Sequence, residues 1–494
     1  MKLPTPPNNS TAIYHRATVT ERDPSISVSS EQRIPFGWPA FAVPPRREAP
    51  GVILRWKEPL RLAAPARLRV TVALDVREAK RIEARTALTG EPLGVFDIRY
   101  ASVCQPFEVT MAPEVAARAV REGVRLRQEE GERPLWLFDG ESSDTPEAFA
   151  PHFLGAVSGD RWGQFEARLC SSASLQAFGW IEGCVLDGLW QMARLPGGEA
   201  ARKAVTAHLR RFVSPGGDLS YEGPGSAPQR NRTYGMEGLL PFAIIAQSEP
   251  QNPVLKLAEQ EIRARLDKDN AVIDHDRTTT EGVYIAGYPL AALARAWKRD
   301  DLAALALAQL RTRRDRSVIQ GKIYQNVGRG GDRAFLPNWA RGVAWYLLGF
   351  ARVLETLELG PGAEAADLHE EFRRAARWAL PFQRADGLWG NFLDDPHAGV
   401  DTSGSAGIAT ALAIGARCGW LPGEAQAAAR RTEAGLEAFL TPDGFLGGMA
   451  QFNKGGEALQ RAPYRVMAPM AMGLAAQLRA ALRAADRGSV KPIL

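Results

Sequence analysis

Cysteine and histidine are scarce in this 494-residue chain, with four of the first and six of the second. The cysteines, at 104, 170, 184 and 418, form no CxxC pair and fall at no metal-like spacing with the histidines. Buried free thiols are the expected state, and neither a disulfide framework nor a metal site is implied. Also missing is any apolar run approaching the ~18 residues of a membrane span. The opening MKLPTPPNNSTAIY has no apolar stretch of the kind a secretory signal carries. A cytoplasmic location without membrane contact is therefore expected, and the sequons NNST near residue 8 and NRT at 231 carry little weight without export. No strong charge excess is present: 61 Lys and Arg stand against 56 Asp and Glu, a net charge of +5. Basic runs such as RTRRDR (311–316) read as solvated helix faces rather than nucleic-acid patches. The mild positive balance suits an acidic small substrate.

What is present divides the chain in two. Up to about residue 140 the pattern alternates with period two and is rich in turns, as in RLRVTVALDV (67–76), VFDIRY (95–100), FEVTM (107–111) and PLWLF (134–138). These are strand signals, so residues 1–140 are expected to form a β-rich domain with one helix near 112–128. Residues 141–159 read as a linker and a first, weak helix near 144–158. From 160 to 494 the pattern is helical. Segments apolar on most faces, such as GMEGLLPFAIIA and SGSAGIATALAIGA, alternate with amphipathic ones such as EQEIRARLDK and EEFRRAARW. Helices apolar all round are buried and one-faced helices are peripheral. Inner and outer helices thus alternate.

The loops GGDLSY (216–221), QGKIYQ (320–325), ADGLWGN (385–391) and PDGFLGG (442–448) repeat glycine before an apolar residue, as a recurring helical hairpin would. About six hairpins make a mainly α fold, an (α/α)6 barrel preceded by the smaller β-rich domain. Its loops would gather at one mouth, beside the N-termini of the inner helices. In NWARGVAWYLLGFARVLETLE, Asn338, Arg341 and Trp345 share a helix face opposite the packing stripe through Val343, Tyr346 and Phe350. That face is expected to line the mouth.

Here the sequence resembles a known family. WARGVAWY followed by ADGLWGNFLDDPHAGVDTSGSAG is similar to the W-[AG]-R-G-x-x-W-Y and D-G-L-W…LDDP…[ED]TSGSA motifs of the unsaturated glucuronyl and rhamnogalacturonyl hydrolases. The resemblance spans roughly 160 to 486 and leaves the first 140 residues unmatched. It implies an enzyme that removes a terminal 4,5-unsaturated uronic acid from short oligosaccharides by protonating the double bond and adding water. Such chemistry needs a carboxyl group of raised pKa, aromatic walls and a cation or hydroxyls for the uronate. By the resemblance, Glu281 stands where the family has its catalytic Asp, Glu237 where it has a second Asp, and Gln325 where it has a His. Arg341, Trp345 and Trp339 match as they are. Thr402, Ser403 and Ser405 fall near the family's substrate. From their own positions, Tyr324 and Gln325, on the loop just before the WARG helix, are expected to line the cavity, and QRNRTY (229–234) offers Tyr234, Arg230 and Arg232 to an anion. No cofactor or metal is implied. The expected partner is an oligosaccharide with an acidic sugar, and a homo-oligomer is compatible.

Each residue has a structural alternative. Glu281 and Glu237 would also suit helix N-termini as dipole partners, and Thr278 stands at capping-box spacing from Glu281. Asp274, His275 and Asp276 are rival acids or bases. Trp389 and Asp401 are expected to hold turns. A second function is also open: hydrolysis of saturated β-glucuronides by the paired glutamates. A sugar epimerase would need histidines that the matching helices lack, and a carbohydrate-binding protein would not need paired acids. The β-rich domain is free to supply substrate loops, cover the barrel or mediate assembly.

Overall fold

The computed structural model describes residues 12–45, 51–57, 60–157, 159–274, 276–328 and 334–487. The NNST sequon and His275 lie outside them. Two antiparallel sheets dominate the N-terminal region. One orders Thr18–Thr20, Val52–Arg55, Val124–Glu130, Ala79–Thr86 and Pro92–Arg99; the other orders Tyr14–Arg16, His152–Leu154, Ala66–Thr71 and Pro106–Met111. Ile82 and Ala84 are buried while Arg81 and Glu83 are not, the alternation of a sheet with one covered face. Helix α1, Pro113–Glu122, opens on proline and stops at Gly123, whose φ is +83°. The expected helix over 112–128 therefore yields its end to strand Val124–Glu130.

A larger correction falls at 141–159, where no helix lies among the described residues. His152–Leu154 is a strand paired on both sides, with Ala66–Thr71 and Tyr14–Arg16. Pro146 and Pro151 break the helical pattern there, and all three strand residues are buried. The first helix of the second region is instead α2, Arg161–Leu169, capped by Asp160, whose carboxylate accepts from Gly163 N at 2.7 Å.

The remaining helices are α3 (Trp180–Ala193), α4 (Glu199–Phe212), α5 (Pro241–Ser248), α6 (Val254–Arg263), α7 (Tyr288–Trp297), α8 (Asp300–Ser317), α9 (Ala340–Thr356), α10 (Ala366–Ala379), α11 (Thr402–Arg417), α12 (Gly423–Glu437), α13 (Gly456–Arg461) and α14 (Pro469–Asp486). Contacts run from α3 to α5, α5 to α7, α7 to α9, α9 to α11, α11 to α14, and from α14 back to α3. The cycle is closed. Outside it, α4, α6, α8, α10 and α12 each pack on the preceding inner helix, and α2 packs on α14. The protein is thus mainly helical, with a β-rich N-terminal region. No described helix is long and apolar enough to cross a membrane.

Packing explains the small residues of the inner helices. A Cβ on Gly188 of α3 would lie 2.4 Å from Gly473 O of α14, and one on Gly473 would lie 2.2 Å from Cys184 O. Only glycine allows two backbones to meet so closely. The recurring loops have a backbone cause as well. Gly217, Gly321, Gly387 and Gly444 all have φ between +78° and +88°, the left-handed conformation of the tight turn that reverses the chain after an outer helix, closed by pairings such as Val213 with Leu219, Ile319 with Lys322 and Leu440 with Leu446. After α6 the equivalent turn is made by Asn270 at φ +59°, with Leu266 bridged to Val272 just as Val213 is to Leu219. Without a glycine, that repeat is hidden from the sequence.

Candidate active site

Glu237 sits on a single helical turn, Met236–Gly238, just before α5. Glu281 begins the helical stretch that passes through a π-helical turn, Val283–Gly287, into α7. Wide turns of this kind recur at functional sites. Strand Arg277–Thr279 pairs with strand Lys322–Gly328, and this pairing delivers Gln325. Its amide donates to Glu281 Oε1 at 2.7 Å, while Thr280 Oγ1 donates to Gln325 Oε1, also at 2.7 Å. The threonine therefore fixes which end of the amide faces the carboxyl group. Gly342 of α9 leaves room for it, since a Cβ there would lie 3.0 Å from Gln325 Oε1.

The carboxyl groups are not ordinary. Burial, followed by the charges of Glu237 and Asp274, pushes Glu281 up to about 8, against the hydrogen bond from Gln325 and the nearby charge of Arg341. Glu237 is raised as well, by burial and by Asp274, against Lys454 and Arg77. Like charges crowded out of water cannot all ionise. The cluster therefore holds a proton at neutral pH. Asp274 belongs to it, whereas Asp276 is exposed and pairs with Arg277 at 3.6 Å. Thr278 lies in a strand and its hydroxyl accepts from Arg316 at 3.3 Å, so it does not form the capping box its spacing suggests.

The tryptophan and arginine of the α9 motif are placed deeper than the sequence implies. Asn338, Trp339, Arg341 and Trp345 are each at most 2% exposed. Arg341 donates to the carbonyls of Ala450 at 2.8 Å and Gln451 at 2.6 Å and lies over the Trp339 ring. Trp339 Nε1 donates to Gln460, and Trp345 stacks on Tyr284 at 5.8 Å. The hydroxyl-rich segment is equally committed. Asp401 caps α11 by accepting from Ser403 N and Gly404 N, Thr402 Oγ1 donates to Gly447 O, and Ser405 Oγ accepts from Trp389 N. Trp389 donates to Ala379 O. Tyr324 is partly exposed, Tyr234 is 44% exposed, Arg230 lies on an edge strand, and Arg232 donates to Gln229.

A cleft lined by Glu237 and Tyr234, but not by Glu281, opens at this end of the molecule. Its wall includes Phe178, Trp180 and Phe452 from the helical region and Phe36 and Asp75 from the β-rich one. Trp180 and Phe36 are partly exposed, which suits a sugar face. Trp180 opens an inner helix just as Trp339 precedes one, so the same position-based signal points to it. Lys454 and Asp75 gave no such signal, because nothing in the sequence joins them. The four cysteines are free thiols. Among the described residues, no three His, Cys, Asp or Glu side chains group to hold a metal.

A helical ring with neighbouring carboxyl groups of raised pKa beside an aromatic cleft is the equipment of a glycosidase, and the comparisons agree. Glycosyl Hydrolase Family 88 matches residues 158–480. The chain belongs to that family and is a glycoside hydrolase. No curated protein matches. Among solved structures, a possible family 105 glycoside hydrolase from Salmonella enterica aligns at 18% identity and a TM-score of 0.56, over 67% of this chain and 86% of its own. A family 105 glycoside hydrolase from C. acetobutylicum aligns at 17% and 0.55, over 65% and 98%. A family 88 glycosyl hydrolase from Bacteroides vulgatus aligns at 15% and 0.50, over 64% and 96%. At these identities the likeness concerns the fold.

Proposed function

We propose that the helical region is an (α/α)6 barrel of six hairpins whose mouth removes a terminal 4,5-unsaturated uronic acid from short oligosaccharides. The supporting observation is the Glu281 carboxyl group, aimed by Gln325 and raised by burial and by Glu237 and Asp274, so that it carries a proton at neutral pH. Glu281 gives that proton to C4 of the enol ether. Water adds at C5, and the carboxylate just formed takes the water's proton, which restores the acid. The hemiketal at C5 opens, and the exposed hemiacetal at C1 releases the partner sugar. Glu237 keeps the proton on Glu281 between turnovers and lies at the cleft where the sugar enters. Trp180 provides the stacking face, whereas Arg341, Trp339, Trp345, Thr402 and Ser405 act from behind it by holding the mouth's backbone. Tyr234 and Tyr324 stand at the rim.

The paired glutamates also suit direct hydrolysis of saturated β-glucuronides, with one acid and one carboxylate sharing the work. Matched unsaturated and saturated uronyl disaccharides distinguish the two. Loss of the double-bond absorbance together with release of the partner sugar is the expected result. Cleavage of the saturated disaccharide alone would replace hydration by direct glycosidase chemistry, and turnover of neither would sink both.

A further inference from the structure

We propose that the N-terminal β-rich region is part of the substrate site and that Lys454, held by Asp75 and Ser102, is the cation that takes the substrate's carboxylate. The region is locked onto the barrel at this cleft. Gln32 donates to Gly225 O at 2.8 Å, Arg33 N donates to Ser226 O at 2.9 Å, and the Arg33 side chain pairs with Glu222. Asp75 binds the same loop twice, its N–H donating to Ser226 Oγ at 2.8 Å and its Oδ2 accepting from Gly225 N at 2.7 Å. Phe36, between these anchors, holds a φ of +60°. A bulky residue stays in that conformation only where its surroundings impose it, and Phe36 is wedged against Trp38 and Phe212 while its ring lines the cleft.

The charges single out one side chain. Among the described residues lining the cleft, Lys454 is the only cation. Its ammonium donates to Asp75 Oδ1 at 2.7 Å and to Ser102 Oγ at 3.2 Å, which leaves the third of its three protons for a ligand. Asp75 does not neutralise the site, because Arg77 shares the same carboxylate at 2.7 Å from Oδ2. Two cations on one anion leave one positive charge beside Glu237, and while Glu237, itself of raised pKa, is protonated, that charge is matched by a single substrate carboxylate. Arg341 is already occupied by the carbonyls of Ala450 and Gln451, and Arg33 by Glu222. Phe36, Asp75 and Ser102 lie before the part of the chain that matches the family. The wall and the tether of Lys454 therefore come from outside the part of the chain that the family match covers.

The inference rests on the proposed function only in taking the ligand to be an acidic sugar. Binding is measured by calorimetry on the full chain carrying Glu281→Gln, in which turnover is slowed enough for binding to be read first, using an unsaturated uronyl disaccharide and its uncharged carboxamide. Preference for the carboxylate is expected, with Lys454→Gln weakening that ligand roughly 10- to 100-fold while leaving the amide unchanged. Lys454→Arg should keep the preference, and Ser102→Ala, a gentler change, should reduce it without loss of fold. If Lys454→Gln keeps the full preference, Lys454 is not the carboxylate contact, though the acidic-sugar reading stands. If the parent protein shows no preference, or binds neither sugar, both fall together.

Discussion

At the residue scale the chemistry depends on a proton that a solvated glutamate would not keep. Glu281→Gln should lower turnover by roughly 100- to 10,000-fold, because the general acid is gone while the shape remains. The same change should stabilise the protein at alkaline pH. The folded-state pKa of Glu281 lies above its unfolded value, so the wild type loses stability as pH rises from about 4.5 to about 8. Thermal melting at pH 4 and pH 8 should show the variant and the wild type alike at the first and the variant more stable at the second. Activity of the wild type should fall on the alkaline side as pH passes about 8. Removing the hydrogen bond with Gln325→Leu takes away one of the influences that hold this pKa down. The alkaline limb should then shift upward and kcat should fall; a limb that stays in place would detach Gln325 from Glu281.

At the element scale the decisive piece is the π-helical turn that carries Glu281 into α7. It packs on Gly349 of α9, where a Cβ would lie 2.5 Å from Val283 Cγ1 and 2.7 Å from Tyr284 N. Backbone cannot yield as a flexible side chain can. Gly349→Ala should cost about 1–3 kcal/mol of stability and, because the turn must shift, should lower kcat more than it changes KM. Denaturant melts and steady-state kinetics test the two effects separately. The helices themselves are legible in the sequence, since their apolar periodicity is local. The π-helical turn is not legible, because it arises from packing against a distant helix. The turn at Asn270 is missed for a simpler reason: asparagine adopts the left-handed conformation without advertising it as glycine does.

At the scale of the whole molecule, the two regions are joined by a buried ionic cluster. Arg69, from strand Ala66–Thr71, grips Asp443 with two hydrogen bonds at 2.6 and 3.1 Å, and both residues are fully buried. Asp443 lies in the last recurring loop of the barrel, where Arg168 of α2 reaches its carbonyl at 3.2 Å. Arg69 and Arg168 both lie over the Phe445 ring. Arg69→Met would remove the nearer of the two cations on the buried Asp443 carboxylate and leave Arg168 at 3.5 Å, so it should destabilise the chain by up to about 3–5 kcal/mol, measured by denaturant unfolding at neutral pH. Burial pushes the Asp443 pKa up, but the Arg69 and Arg168 charges and the hydrogen bonds from Arg69 outweigh it and hold the pKa well below its ordinary value of 3.8. Its contribution is therefore complete above that value and is lost as pH falls further, and the gap between variant and wild type should narrow in acid.

Local regularities were enough to locate much of this protein from sequence alone: strands from alternation, helices from periodicity, and loops from glycine that must take positive φ, while Glu281 and Glu237 are singled out only by the resemblance to a known family. These signals are carried by neighbours in the chain. Burial and charge sharing are not. The depth at which Arg341 and Trp345 are packed, the crowding of Glu237, Asp274 and Glu281, and the meeting of Asp75 with Lys454 all require segments far apart in sequence to converge. Only the closed tertiary structure decides them, because the pKa of a carboxyl group and the reach of a cation depend on what surrounds them in space.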